Sequence, residues 1–351
     1  MPLAPFCSLR LGGCARYLVT AEDEQTVVEA LRWADQRGLP AAIISGGTNL
    51  VVADSGFNGL AIRMAQRGVR VEKRGPIARL TAMAGEPWDP LVERSVRENL
   101  AGAECMSGIP GLAGATVVQN VGAYGQEVST IVASVRVLDR DKMQIREIGA
   151  EACAFGYRDS AFKRRPGAAV VLAVTFSLKA GGDPTLSYPE LRRALGPGRA
   201  APSLIEVREA VMDQRSGKAM LLSTEGEDRY SVGSFFVNPV VSATQADQVV
   251  SRALKLGIAN IADEVPRFAA PDNMAKLSAA WLIERAGFPK GYRVGRVGIS
   301  SRHALALVQD GGATAAELVA FARQVRDAVR ARFGIELAAE PAFLGFDQPP
   351  L

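Results

Sequence analysis

Histidine is almost missing from this 351-residue chain: His303 is the only one. A His-rich zinc site, a His-Glu-x-x-His protease and a two-histidine iron triad each need at least two imidazoles, so all are excluded. Cysteine is scarce as well. Cys7, Cys14, Cys105 and Cys153 contain no Cys-x-x-Cys pair, so neither a zinc ribbon nor a thioredoxin-type centre is expected, and the thiols read as reduced and structural. No apolar run approaches the roughly 18 residues that span a bilayer. The opening MPLAPFCSLRLGGCARYLV lacks the apolar core and cleavage pattern of a secretory signal. The expectation is a cytoplasmic protein with no membrane insertion. Charge of one sign does not dominate either: 41 Lys and Arg against 37 Asp and Glu leave a net +4. The basic residues are scattered rather than blocked, which argues against nucleic acid and leaves anionic small molecules as partners.

Glycine is what the chain has in excess. Its 35 residues make up a tenth of the sequence, against a usual ~7%. Around them, strand and helix patterns alternate. Val27, Ala30, Leu31 and Ala34 mark one face of a helix that Gly38 closes, and residues 41–44 read as a buried strand. A hairpin is predicted across Gly75-Pro76, between strands at 69–73 and 78–84, and a helix follows near 90–100. Further strands are predicted at 134–139, 143–148 and 169–178. Beyond them, Ser203-x-x-Glu206 opens a short helix as a capping box. Helices near 244–256, 273–286 and 314–333 alternate with strands at 297–299 and 304–308. The last helix carries Thr314-x-x-Glu317 at its start, Gly334 past its end, and a stripe of Leu318, Phe321, Val325 and Val329. Trp33, Trp88 and Trp281 fall in helical segments and read as core. A division is expected near 200–215, with 194–202 as a linker or surface loop.

Two glycine loops stand out. Without a Cβ, backbone can approach a diphosphate closely and adopt positive φ. The first loop is Ser45-Gly46-Gly47-Thr48-Asn49, directly after a strand. The second runs from Gly108-Ile109-Pro110-Gly111 through Gly114-Ala115 to Gln119-Asn120 and Gly122-Ala123-Tyr124-Gly125. Either alone could be a tight turn; together they could hold one extended dinucleotide, with Asn49, Gln119 and Asn120 adding amides. An ordinary Rossmann turn is missing. Gly196-Pro197-Gly198-Arg199-Ala200-Ala201 satisfies the spacing but contains proline and follows a helical segment. There is also no Walker A loop and no Gly-x-Ser-x-Gly elbow.

These residues carry a resemblance. Asn99-Leu-Ala-Gly-Ala-Glu104-Cys-Met-Ser-Gly-Ile-Pro-Gly111 running into Gln119-Asn-Val-Gly-Ala-Tyr-Gly125 resembles the UDP-N-acetylenolpyruvoylglucosamine reductase family. Tyr157-Arg158-Asp159-Ser160, Ser231-Val-Gly-Ser234-Phe-Phe-Val-Asn238-Pro239 and Glu340-Pro-Ala-Phe-Leu-Gly345 agree with it in order, from about Ser8 to Gly345. The resemblance implies an α+β chain: a two-subdomain FAD-binding fold of the vanillyl-alcohol-oxidase type with a C-terminal α/β substrate-binding domain. The implied division is 1–66 and 67–205 for the FAD-binding subdomains and 206–337 for substrate, with 338–351 returning to the first. It also implies a monomer that uses NADPH and FAD to reduce UDP-N-acetylglucosamine enolpyruvate to UDP-N-acetylmuramate for peptidoglycan, with no metal. NADPH and substrate take turns in one pocket, which accounts for the missing Rossmann turn.

The family's chemistry assigns roles by position. Hydride from flavin to the vinyl carbon leaves negative charge on the adjacent carbon and its carboxylate. Ser234 matches the proton donor, Arg158 the arginine whose planar fork suits that carboxylate, and Glu340 the glutamate completing the polar set. Taken alone, Ser234 would be a turn serine, Arg158 a surface ion pair and Glu340 a solvated acid. Cofactor contacts are expected from Ser45, Gly46, Gly47, Thr48, Asn49, Ile109, Pro110, Gly114, Ala115, Asn120, Gly122, Ala123 and Tyr124. Substrate contacts are expected from Tyr157, Tyr188, Lys218 and Asn238, with Tyr188 on a loop that closes over substrate in one subgroup. Departures are Ser45 where a third glycine is common, Leu112 where a small polar residue is usual, and Ala342 where many relatives have arginine. His303 reads as structural or peripheral, and nothing near Cys105 would activate it. The alternatives are another FAD oxidoreductase of the same fold and a non-catalytic sugar-nucleotide binder.

Overall fold

The computed structural model describes residues 1–196, 202–222 and 225–351. The chain forms two compact units. Met1, Ala15–Gly47 and Phe57–Leu221 make the first; Pro2–Cys14, Thr48–Gly56 and Leu222–Leu351 make the second.

In the first unit, Phe57–Met64 lies between Ala15–Ala21 and Ala41–Ile44, all parallel. Parallel neighbours need a crossover, and Glu24–Asp35 supplies it as a helix with Val27, Leu31 and Ala34 buried. Asp23 accepts the Thr26 amide (2.7 Å) at its start, and Gly38 at φ +62° turns the chain out of its end. The strand Ala41–Ile44 departs from its expected burial: only Ile44 is buried and Ile43 is 38% exposed. Its short apolar run reads as central, yet it sits at the sheet edge, where among the described residues one flank has no neighbouring strand.

A second, antiparallel sheet orders Gln144–Gly149, Val132–Asp139, Ala169–Ala180, Ile77–Met83 and Val69–Arg74. The hairpin across Gly75 (φ +60°) joins the last two as expected. Ala169–Ala180 is paired on both sides, and Val170, Val171, Leu172, Val174, Phe176 and Leu178 lie in the core. Against this sheet pack Leu91, Val92 and Val96 of helix Trp88–Arg97, with Ala113 and Val117 of helix Ala113–Gln119. Trp88 anchors the junction, 2% exposed, its indole N–H donating to the Met106 carbonyl (3.1 Å). Each such large apolar side chain contributes ~1.5–3 kcal/mol on burial. The capping box Ser203/Glu206 is present, but the helix it opens, Leu204–Gly217, is four turns long rather than short. The proposed linker at 194–202 and the Gly196–Ala201 spacing fall largely on 197–201, outside the described residues.

The second unit has a four-stranded antiparallel sheet of Tyr230–Ser234, Ala306–Gln309, Val297–Ile299 and Arg293–Val294. A three-stranded sheet sets Met274–Leu277 between Val240–Ser242 and Arg267–Ala270. Here the helix expected over 273–286 is only half right: Ser278 caps a helix that begins at Ala279, and the residues before it are strand. Two flanking strands satisfy the Met274–Leu277 backbone, overriding its local helical propensity. The helix Ala315–Phe333 matches its expected span, stripe and Gly334 cap. Asp54 adds a second cap by accepting the Ala315 and Ala316 amides (2.8 and 2.9 Å). Ala342–Leu344 runs parallel to Leu50–Val52. Among the described residues, no helix is long and apolar enough to cross a membrane.

Candidate active site

Within the first unit the two glycine loops meet. A Cβ on Gly46 would come within 2.9 Å of the Gly111 Cα, so side-chain-free backbone is required at the crossing. Gly47 has φ +61°. The second loop is pinned at intervals: Gly108 N–H to Asp89 (2.6 Å), Ala113 N–H to the Glu86 carbonyl (2.8 Å) and Gly114 N–H to the Ala84 carbonyl (3.0 Å). Gly114 cannot carry a side chain either, since its Cβ would fall 2.7 Å from that of Ala84. The Ser45 hydroxyl is buried with no hydrogen-bond partner among the described residues. A buried hydroxyl left unpaired is costly. A polar ligand lying along these loops would satisfy it, so the residues fit a dinucleotide such as FAD, held by Ser45, Gly46 and Gly47 with Ile109, Pro110, Gly114 and Ala115. Gln66 is a second orphan: 1% exposed, with both amide atoms unpartnered among the described residues. One amide in a loop carries no motif, so sequence reasoning passes over it.

Arg158 sits at the tip of a tight turn closed by reciprocal bonds between Gly156 and Asp159 (2.9 and 3.1 Å), at φ +53°. That left-handed conformation costs a residue bearing a Cβ ~1–2 kcal/mol. Its guanidinium donates to the Gly122 carbonyl (2.6 Å), the Asn120 carbonyl (3.2 Å) and Glu127 (3.2 Å), and stands over the Tyr157 ring (5.2 Å). The arginine is thereby tied to the second glycine loop. Asn120 completes the tie: its amide donates to the Gly156 carbonyl (2.8 Å) and its oxygen accepts the Ser129 N–H (3.0 Å). Its side chain is spent inside the protein, and its backbone N–H donates to the Thr116 carbonyl. Gln119 is likewise engaged, accepting from Lys163 (3.0 Å).

A third group gathers Tyr124, Tyr188 and Lys218. The two rings meet edge to face at 5.5 Å, and the Lys218 ammonium lies 5.8 Å from the Tyr124 ring centre. Lys218 caps the C-terminus of Leu204–Gly217, where a cation is favoured, and pairs with Glu190 (3.3 Å). Burial raises both phenols above their ordinary value, with Glu190 adding to the rise at Tyr188, so both remain hydrogen-bond donors. Glu190 is a member that motif reading missed; a glutamate after Tyr-Pro has the look of an ordinary first-turn acid.

The second unit brings the Glu340 backbone to Phe235, next in the chain after Ser234. Ser234 ends its strand opposite Ala306, after Gly233 at φ +73°. The next residues bridge to the chain's last strand region: Phe236 pairs with Ala339, Val237 N–H donates to the Ala338 carbonyl (3.1 Å), and Glu340 N–H donates to the Phe235 carbonyl (2.9 Å). Asn49 joins them, its amide donating to the Glu340 carbonyl (3.3 Å) and its carbonyl accepting the Ala342 N–H (3.0 Å). Thr48 precedes it in this unit. Buried Phe235 and Phe236 fix the segment beneath. Asn238 accepts the first amide of the helix Ala279–Arg285 (2.9 Å). His303 lies on the loop before Leu305, whose carbonyl accepts the Phe235 N–H (2.7 Å).

Comparison with known proteins follows the same division. Residues 15–146 match the model of an FAD binding domain. Residues 225–344 match that of the UDP-N-acetylenolpyruvoylglucosamine reductase C-terminal domain. The reductase of Saccharopolyspora erythraea is 48% identical over 97% of this chain and 94% of its own. That of Streptomyces coelicolor is 44% identical over 98% and 89%. The crystal structure of the Thermus caldophilus reductase shares the fold, with a TM-score of 0.67 at 23% identity over 98% of this chain and 97% of that one. Fold and loops thus define an FAD-dependent oxidoreductase of mixed α and β architecture. The chain belongs to the UDP-N-acetylenolpyruvoylglucosamine reductase family.

Proposed function

We propose that this chain is the cytoplasmic, monomeric enzyme that reduces UDP-N-acetylglucosamine enolpyruvate to UDP-N-acetylmuramate with NADPH, for peptidoglycan synthesis. The observation that carries the reading is the ladder that brings Glu340 to Phe235, the chain neighbour of Ser234, joining two motifs far apart in sequence. FAD, held by the two glycine loops, would supply the two-electron transfer between NADPH and the enol ether. Ser234 delivers the proton to the carbon beside the carboxylate. A serine hydroxyl is a weak acid, so it serves only a strongly basic carbon within hydrogen-bond reach. Glu340 holds the polar side of the enol. Arg158 meets the carboxylate with its fork as charge develops there, from a position preset by Asn120 and Gly122. Tyr157, Tyr188 and Lys218 bind the nucleotide end, where the lysine exchanges Glu190 for phosphate, and the amide of Asn238 adds a donor. Ala123 and Tyr124 line the cofactor.

Purified protein tests this directly. It carries FAD, and NADPH is oxidised only when the enolpyruvyl sugar nucleotide is added. Flavin-dependent NADPH oxidation that ignores the sugar nucleotide would point to another oxidoreductase, and a protein without flavin would point to a binder.

A further inference from the structure

Glu104 is completely buried, and among the described residues no cation pairs with it. A buried carboxylate without a counter-charge persists only when hydrogen bonds replace its water. Three donors do so here: the Gly102 N–H (2.7 Å), the Gln126 amide (2.7 Å) and the Thr185 N–H (2.8 Å). They come from three separate segments. Gly102 precedes the second glycine loop, Gln126 follows Tyr124 and Gly125, and Thr185 lies in the stretch leading to Tyr188.

Thr185 is held at each of its polar groups. Besides its N–H on Glu104, its hydroxyl accepts from Gln126 (3.0 Å) and its carbonyl accepts from the Cys105 thiol (3.2 Å). Gln126 is itself fixed, its oxygen accepting the Cys105 N–H (2.7 Å). Two residues on, Ser187 packs so closely on Gly125 that a Cβ there would collide with the serine hydroxyl. One residue further, the Tyr188 ring meets Tyr124. The polar cluster thus docks one segment on another, and the two tyrosines meet at its outer end.

We propose that Glu104, acting through Gln126 and Thr185, is a positioning residue that seats Tyr188 against Tyr124 and so sets affinity for the sugar nucleotide. This rests on the reading of Tyr188 and Lys218 as part of the nucleotide end of the site. Apolar packing alone would hold the segment without a buried charge. The carboxylate adds direction, because its two oxygens accept only from donors placed around them.

The test uses FAD-loaded protein and three variants. Glu104→Gln turns an acceptor into a donor facing an N–H; Gln126→Met cuts the bridge to Thr185; Gly125→Ala pushes Ser187 away without touching the buried cluster. Each should raise KM for the enolpyruvyl sugar nucleotide about tenfold or more, as expected for loss of a charge-assisted bond, with kcat and flavin content little changed. Iodoacetamide provides a readout independent of substrate. In the native protein it modifies exposed Cys14 and spares buried Cys105; in Glu104→Gln and Gln126→Met, Cys105 becomes reactive, as mapped by peptide mass. Cys105 modified with KM unchanged overturns the link to the substrate. Cys105 still protected with KM unchanged overturns the latch itself. Equal loss of flavin, kcat and KM in all three variants overturns positioning in favour of plain structural support. If wild-type protein never responds to the sugar nucleotide, the proposed activity and its affinity effect both fall, while the thiol reaction still decides whether the latch exists.

Discussion

The two units hold their candidate residues by different means. In the first, Arg158, Tyr124 and Asn120 all occupy left-handed backbone, at φ +53°, +46° and +45°, and Arg158 and Asn120 reach their places through side-chain bonds to loop carbonyls. In the second, Ser234 and Glu340 sit on a backbone ladder whose neighbours Phe235 and Phe236 are core. Loop backbone held in costly conformations can follow a long, polar ligand and can move. A ladder cannot shift by less than a residue without inverting its faces. A proton donor gains most from the second arrangement, where reach is measured in tenths of an ångström; a cofactor cradle gains most from the first.

The contrast is sharpened most by Ser234→Ala. Delivery of the proton should slow ~10²–10⁴-fold, seen as slow flavin reoxidation by substrate, while flavin reduction by NADPH stays near wild type. Equal slowing of both half-reactions breaks the assignment. Next comes Arg158→Lys, which keeps the charge but loses the fork, with turnover expected to fall ~10²–10³-fold. Because Arg158 also bonds the loop carbonyls, this variant should release FAD more readily, which Ser234→Ala should not. FAD retained as tightly as in wild type would mean that arginine and loop are uncoupled.

Smaller effects probe the scaffolds. Gly46→Ala forces apart the loop crossing and should cost ~1–3 kcal/mol, measured as weaker FAD binding with the second unit's melting unchanged. Asp89→Asn tests the pin on Gly108. Burial pushes this carboxyl up, but the bonds from Arg208 and the Gly108 amide, with the Arg208 and Arg215 charges, outweigh it and hold the group below its ordinary 3.8. Its stabilisation is therefore complete above that value and is lost as pH falls through the lower folded pKa. The variant should be less stable at neutral pH and show a shallower acid limb in denaturant melts; an unchanged limb would remove Asp89 as its cause. Smallest is Thr314→Ala, which removes the capping box of the second unit's long helix and should lower its melting midpoint by ~2–4 °C without touching turnover.

Much of this was legible in the residues. Capping boxes at Ser203 and Thr314, the glycine at 334 and the hairpin at Gly75 follow local rules that a few neighbouring residues satisfy on their own. The exposure of strand Ala41–Ile44 and the strand conformation of Met274–Leu277 did not, because burial and strand pairing depend on partners distant in sequence. The same holds for the site. The motif residues could be picked out, but that Asn120 spends its amide on Gly156, that Lys218 meets Glu190, or that Ser45 is left unpartnered required the fold.

The sequence by itself determined the chemistry allowed: one histidine excludes imidazole-built metal centres, and the glycine excess supplies backbone that can approach a diphosphate. Tertiary structure alone decided which groups meet. Glu340 reaches Phe235, the neighbour of Ser234, through strand pairing, and Glu104 finds its three donors in three segments. The physical reason is that propensity and capping act over a few residues, whereas a buried charge or a reacting pair is settled by whichever distant backbone closes around it.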